Sequence, residues 1–373
     1  MGEWTWQAQF GLIGGGILFW VVLVPLLVIQ VRRYGGLSFR RLLGAAAVSV
    51  YAVALVAYTL LPLPEMRANC GAGAAGIELI PGHSIGDILR ETEGLSITGT
   101  LTSRATMQVV LNVMLFVPLG VIARRYWNRG PVVSILLGAA VSLGIELTQL
   151  TGVWGLYACA YRVADVDDLL ANTAGAAIGV ALAPLLLAWM PSSDALRAER
   201  RQPRPVTVWR RWFGMILDAI IVQVAISTVS VFLFVPRVLL APDRAVGPDE
   251  ALIETAVIGC CAVVLVVVVP ALVSSGASLG QRIVWLEPRW SGKRGSSGRR
   301  LARASVVALP YTVATVLQQL PDGVPAVATT VTNVVGLIST LVLIAAVASV
   351  PFSRGRRGLS FAISGAELHD ARA

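Results

Sequence analysis

Apolar residues gather into nine long runs, near positions 11–30, 42–61, 107–123, 131–151, 169–190, 213–235, 251–273, 304–320 and 327–351. Each is close to the roughly 20 residues that a helix needs to cross a bilayer, the third and eighth being shorter. The pattern predicts an all-α fold, a polytopic membrane bundle of about nine transmembrane helices. The stretch "PSSDALRAERRQPRPVTVWRR" at 191–211 is polar, basic and proline-bearing, and it divides five helices from four. The expected organisation is therefore a membrane domain at 1–190, a basic cytoplasmic linker at 191–211 and a second membrane domain at 212–373. The first run has no basic region ahead of it and no small-residue cleavage site behind it, so it reads as a retained helix. Two shorter segments look amphipathic: "IELIPGHSIGDILRE" in the long loop at 63–106, and "GASLGQRIVWLEPRW" at 276–290, whose Trp285 and Trp290 are expected at headgroup level.

Composition sharpens the class. Hydrophobic residues make up 56% of the chain and charged residues 14%, and mean hydropathy is +0.74. A soluble chain of this length would then carry a surface of hydrocarbon, which excludes that class. The net charge of +9 comes from arginine clusters: Arg32, Arg33, Arg40 and Arg41; Arg124, Arg125 and Arg129; Arg197 to Arg211; Arg282 to Arg303; and Arg354, Arg356 and Arg357. With nine helices every cluster falls on one face, which places the N-terminus outside and the C-terminus in the cytoplasm of a multi-pass cell-membrane protein. Topology and contact with anionic membrane lipids account for the charge, and no nucleic-acid partner is needed. Cys260 and Cys261 read as small apolar groups in the seventh helix; Cys70 and Cys159 fall in outer loops, where a bridge is one possibility.

Polar residues inside the runs are few and fall at one height. Helix 3 enters from outside, so Asn112 lies about 8 Å below the outer boundary. Helix 4 runs outward and ends near Glu146 and Gln149, and helix 5 enters again through Asp165, Asp167 and Asp168 with Asn172 one turn deeper. The spacing predicts an outward-facing polar pocket built from Asn112, Glu146, Gln149, Asp165, Asp168 and Asn172. Arg162 is the expected partner of Glu146, an ionisable group that a membrane helix carries at high cost. Asp168, Asn172, Gly175 and Gly179 recur at three or four residues, so a neighbouring helix can approach that face closely. A plainer description stays open, in which the aspartates form a solvated helix cap and the amides are interhelical glue.

"LNVMLFVPLGV" (111–121), "GIELTQL" (144–150) and "YRVADVDDLLANTAGAAIGV" (161–180) resemble the VanZ-like membrane protein family. The family pattern falls on Asn112, Phe116, Pro118, Gly120, Glu146, Gln149, Arg162, Asp165, Asp168, Asn172 and Gly175. "IELIPGHSI" resembles a further family segment, with Glu78 and Gly82 replacing the usual Asn and Phe. The resemblance implies a link to resistance against the glycopeptide teicoplanin. Polar residues confined to the outer third favour capture from the outer leaflet, so a lipid headgroup, a lipid-linked cell-wall precursor or a glycopeptide is a possible partner, and oligomeric state is left open.

In the second half, Arg211 and Asp218 are two turns apart on one helical face, with Arg282 and Arg303 as further candidate partners for the aspartate. This half resembles the RDD family in "RRWFGMILDAII", "SSGASLGQRIVWLE" and "RGRRGLSFAISG", most tellingly in Gly-x-x-Leu-Gly-x-Arg at 276–282. Where the family closes on His-Asp this chain has Ser360 and Phe361, so ion handling that relies on both acidic positions is in doubt. A second polar site is thus expected at Arg211, Asp218 and Arg282. No cofactor is expected, and a metal site is left open because paired aspartates can hold a divalent cation. The preferred reading is a non-enzymatic envelope protein. Ion or proton transport through Asp218, and acid–base chemistry by Glu146 and Asp168 on a lipid-linked substrate, are the alternatives.

Overall fold

The computed structural model describes residues 3–63, 76–157, 160, 162–240, 247–273, 275–319 and 326–373. Cys70 and Cys159 lie outside them. Contacts divide the chain into two compact units, Met1–Gln30 with Leu37–Ala198, and Val31–Gly36 with Glu199–Ala373. Among the described residues, eight helices are long and apolar enough to cross a membrane. The remaining run, the eighth at 304–320, also forms a helix, Ser297–Leu317, but Arg299, Arg300 and Arg303 in its first two turns keep it out of that set.

The first unit contains α1 (Glu3–Tyr34) as far as Gln30, the last turn of that helix belonging to the second unit, together with α2 (Phe39–Leu60), α3 (His83–Glu91), α4 (Arg104–Val121), α5 (Pro131–Leu150) and α6 (Val166–Leu186). Local chemistry sets the starts. Ser38 and Ser103 cap α2 and α4 through their hydroxyls, proline opens α5, and the Asp165 carboxylate caps α6. Two short strands, β1 (Ile77–Glu78) and β2 (Ala164–Asp165), pair in parallel and tie the loop after α2 to the start of α6. α4 and α6 pack most closely of all. A Cβ on Gly175 or Gly179 would lie 2.1 or 2.0 Å from the carbonyl oxygens of Val113 and Val117, and one on Gly120 would lie 2.0 Å from that of Ala176. Glycine there lets backbone rest on backbone, which substitutes for the hydrophobic force that lipid cannot supply between helices. Leu55, Phe116 and Leu119 fill the space between α2 and α4.

Arginines collect at one end of this unit. Arg40 and Arg41 at the start of α2, and Arg125 after α4, donate to the carbonyls of Trp189, Tyr126, Pro191 and Met190, where α4 and α6 terminate. These side chains satisfy carbonyls that a helix end leaves bare, and cations there complement the helix dipole.

The second unit holds α7 (Val208–Leu240), α8 (Pro248–Val263, continued through a π turn to Leu272), α9 (Leu279–Ile283), β3 (Leu286–Arg289), α10 (Ser297–Leu317), α11 (Ala326–Phe352), α12 (Gly358–Ser364) and β4 (Glu367–Asp370). Its apolar core is Val222, Ile226, Ile258, Ala262, Val266 and Val316. The segment expected to lie on the membrane surface is built in instead. β3 pairs antiparallel with β4, and Trp290 is buried with its indole N–H donating to the Ser364 carbonyl. Trp285 donates to the Val31 carbonyl and is stacked by Arg32 and Arg372. A tryptophan whose N–H finds a carbonyl inside the fold has no need of the interface. Cys260 is likewise exposed on α8 rather than enclosed.

Candidate functional site

Each polar residue singled out in the first half is placed by a helix end. Asn112 follows the first two turns of α4, and its amide donates to Asp168 Oδ1 at 2.6 Å. Asn172, one turn deeper on α6, donates to Ser142 Oγ of α5 at 2.9 Å. Glu146 accepts the Asp165 backbone N–H at 3.2 Å. Gln149 and Arg162 both donate to the Thr59 carbonyl at the end of α2, at 2.6 and 3.2 Å. The ends of α2 and α5 and the starts of α4 and α6 carry the seven expected residues in separate hydrogen-bonded groups, Asn112 with Asp168, Glu146 with Asp165, Gln149 and Arg162 on the Thr59 carbonyl, and Asn172 with Ser142, toward the end of the unit opposite the arginines.

Three departures matter. Arg162 is not ion-paired with Glu146, because its guanidinium reaches the Thr59 carbonyl instead. Asp167 is a brace, accepting the backbone N–H groups of Gly82 and Ser84 at 2.8 and 2.7 Å and so fixing the start of α3. Gln108, one turn before Asn112 on the same face of α4, also stands beside Asp168; its i, i+4 spacing from Asn112 was the available signal.

The cluster is not saturated. Glu146, Gln149 and Asn172 are buried, yet Asn172 Oδ1 has no hydrogen-bond partner. Among the described residues Glu146 makes no ion pair, and neither does Asp168. Burial pushes the Asp165 carboxyl up, against the opposing hydrogen bond from the Asp167 N–H. The described residues include no group of three or more His, Cys, Asp or Glu side chains arranged to hold a metal ion.

In the second unit Asp218 is held differently from the expectation. Its two oxygens accept Ser278 Oγ–H at 2.6 Å and the Gly280 N–H at 2.7 Å. Arg282 stays apart from it and caps the carbonyls of Ala277, Pro270 and Val273. The glycine motif now has a mechanical reading. Gly276 turns the chain at φ +78° and offers its carbonyl to Arg303; Ser278 caps α9; and a Cβ on Gly280 would meet the Gly214 carbonyl oxygen at 2.1 Å. Phe361, which stands where the family pattern has its closing aspartate, is fully buried. Its ring lies 4.7 Å from the Arg211 guanidinium carbon and 5.0 Å from that of Arg303.

Sequence reasoning also missed Asp370. It accepts from the side chains of Arg210 (2.7 Å) and Arg372 and from the backbone N–H of Arg204. Burial alone would raise the Asp370 carboxyl, but those donors and the Arg210 charge hold it well below the usual carboxylate range.

Helical spans with polar groups confined to a helix-end cluster and a buried basic site define a two-domain polytopic membrane protein. Residues 48–187 match the VanZ/LLP1 family model and residues 205–361 the RDD family model. The chain is a VanZ-like membrane domain fused to an RDD family domain. No curated protein and no solved structure matches it.

Proposed function

We propose that the cluster at the ends of α2, α4, α5 and α6 is an outward-facing pocket that binds an amphiphile or cell-envelope component. The ligand classes that fit are a lipid headgroup, a lipid-linked wall precursor or a glycopeptide. In this reading the protein is non-enzymatic and sits in the cell membrane with the cluster on the outer side, and it contributes to tolerance of teicoplanin. The observation that carries it is unused hydrogen-bonding capacity. Asn172 Oδ1 is buried without a donor, and Glu146 and Asp168 both face the Arg162 charge without forming an ion pair with it among the described residues. Buried acceptors left open are costly and call for a donor-bearing partner, such as an amino- or hydroxyl-rich headgroup. Trp154, 69% exposed just after α5, offers an aromatic face on the same side. The arginine-capped opposite end is the expected cytoplasmic face by the basic-loop rule.

Transport centred on Asp218 has less support, because Ser278 and Gly280 occupy both of its oxygens. The test is teicoplanin susceptibility of a host expressing wild type, Glu146→Gln or Asp168→Asn at matched membrane levels. Both variants are expected to bring susceptibility to that of cells lacking the protein. Wild-type tolerance in both would remove the cluster from the function.

A further inference from the structure

The second unit contains a partly open cavity of about 100 Å³ lined by Arg211, Asp218, Ser278, Arg303 and Ser360 amid apolar side chains. Arg211 comes from the first turn of α7 and is 2% exposed; Arg303 comes from the second turn of α10 and is 3% exposed. Arg211 Nε and Nη1 and Arg303 Nε have no hydrogen-bond acceptor. Arg303 spends one donor on the Gly276 carbonyl at 2.6 Å. Both guanidiniums flank the Phe361 ring, which stabilises cations on its face but accepts no hydrogen bond in the plane of the fork. The only carboxylate in the lining is Asp218, and it is committed to Ser278 and Gly280. Among the described residues, neither arginine forms an ion pair. The cavity therefore holds two buried positive charges against one negative charge, with three guanidinium nitrogens unsatisfied.

Each of those conditions is expensive alone, and one bound anion relieves both. A planar fork of N–H donors matches an oxyanion better than a spherical halide. That volume is several times the roughly 10–15 Å³ that a single water needs on the same measure, enough for a tetrahedral oxyanion group. We propose that this cavity is a binding site for a small oxyanion of the phosphate class, held by Arg211 and Arg303 with the Ser278 and Ser360 side chains beside it. The group arrives either as inorganic phosphate or as the phosphomonoester head of an anionic lipid. This site is independent of the cluster in the first domain.

The test uses the full chain, purified in detergent and stripped of lipid, with thermal unfolding and equilibrium dialysis against labelled inorganic phosphate. Phosphate at about 100 times its Kd is expected to raise the midpoint by about 5 °C or more, the rise growing with the logarithm of phosphate concentration. Dialysis should return one phosphate per chain, and chloride at equal ionic strength should give no such rise. If inorganic phosphate is inert but nanodiscs with phosphatidic acid stabilise relative to nanodiscs of neutral lipid, the same chemistry is assigned to a lipid head. Arg211→Gln and Ser360→Asp should each abolish the response. Ser360→Asp supplies an internal carboxylate in the cavity, so it keeps the test informative if the arginine variant fails to fold. The proposal is overturned if neither source stabilises the wild type, or if Ser360→Asp responds as the wild type does.

Discussion

One of the tightest backbone approaches in the first domain lies directly beneath its polar cluster, so replacing Gly175 probes packing and site together. A Cβ at Gly175 would stand 2.1 Å from the Val113 carbonyl oxygen, whereas real Cβ contacts essentially never fall under 3.0 Å. The obstacle is backbone and cannot swing away. Accommodating Gly175→Ala therefore requires α4 to retreat by about 0.9 Å, at a cost of about 2 kcal/mol, within the usual range for overpacking. The gain in helix propensity, about 1 kcal/mol, works the other way. Gly144→Ala on α5 isolates it, since a Cβ there meets nothing within 4 Å. Thermal unfolding of the purified chain should place Gly175→Ala about 4–8 °C below Gly144→Ala. A second consequence is geometric. Asn112 adjoins Val113, so the same retreat stretches its 2.6 Å bond to Asp168 toward a length at which it no longer holds. Teicoplanin tolerance should fall in Gly175→Ala and persist in Gly144→Ala. Equal midpoints for the two variants would refute the account of α4 and α6 as a glycine-dependent contact.

Two further predictions address the second domain. Asp370→Asn should cost about 3 kcal/mol near neutral pH, the lower end for removing one partner of a buried ion pair. Because the native carboxyl is held below its ordinary value of 3.8, its contribution is complete above that value and fades as pH falls below it. A pH series of unfolding midpoints should therefore show a steeper acid decline in wild type than in the variant, and parallel curves would contradict the assignment. Arg282→Lys should behave as a disruptive change, since one ammonium cannot replace a fork that reaches three separate carbonyls. An unaltered midpoint for Arg282→Lys would count against that capping role.

The helices, their rough limits and the division of polar and basic residues between helix ends were legible in the chain. Hydropathy runs and a fixed rise per residue set how deep each group lies along its own axis, which is why Asn112, Glu146, Asp168 and Asn172 come to one level. Likewise, glycines at three- and four-residue spacing mark a face of close approach whatever helix fills it. Depth says nothing of rotation about the axis or of what the loops bring back. Arg162 turning to the Thr59 carbonyl, Asp218 joined to Ser278 and Gly280 instead of Arg282, and Asp370 gathering Arg204, Arg210 and Arg372 all depend on those unlisted degrees of freedom. In a medium without water every donor and acceptor must find a partner, and only the folded backbone determines which carbonyl or carboxylate stands within 3 Å. The sequence by itself determined which groups share a level; the tertiary structure alone decided which of them touch, and left Arg211 and Arg303 with donors still open.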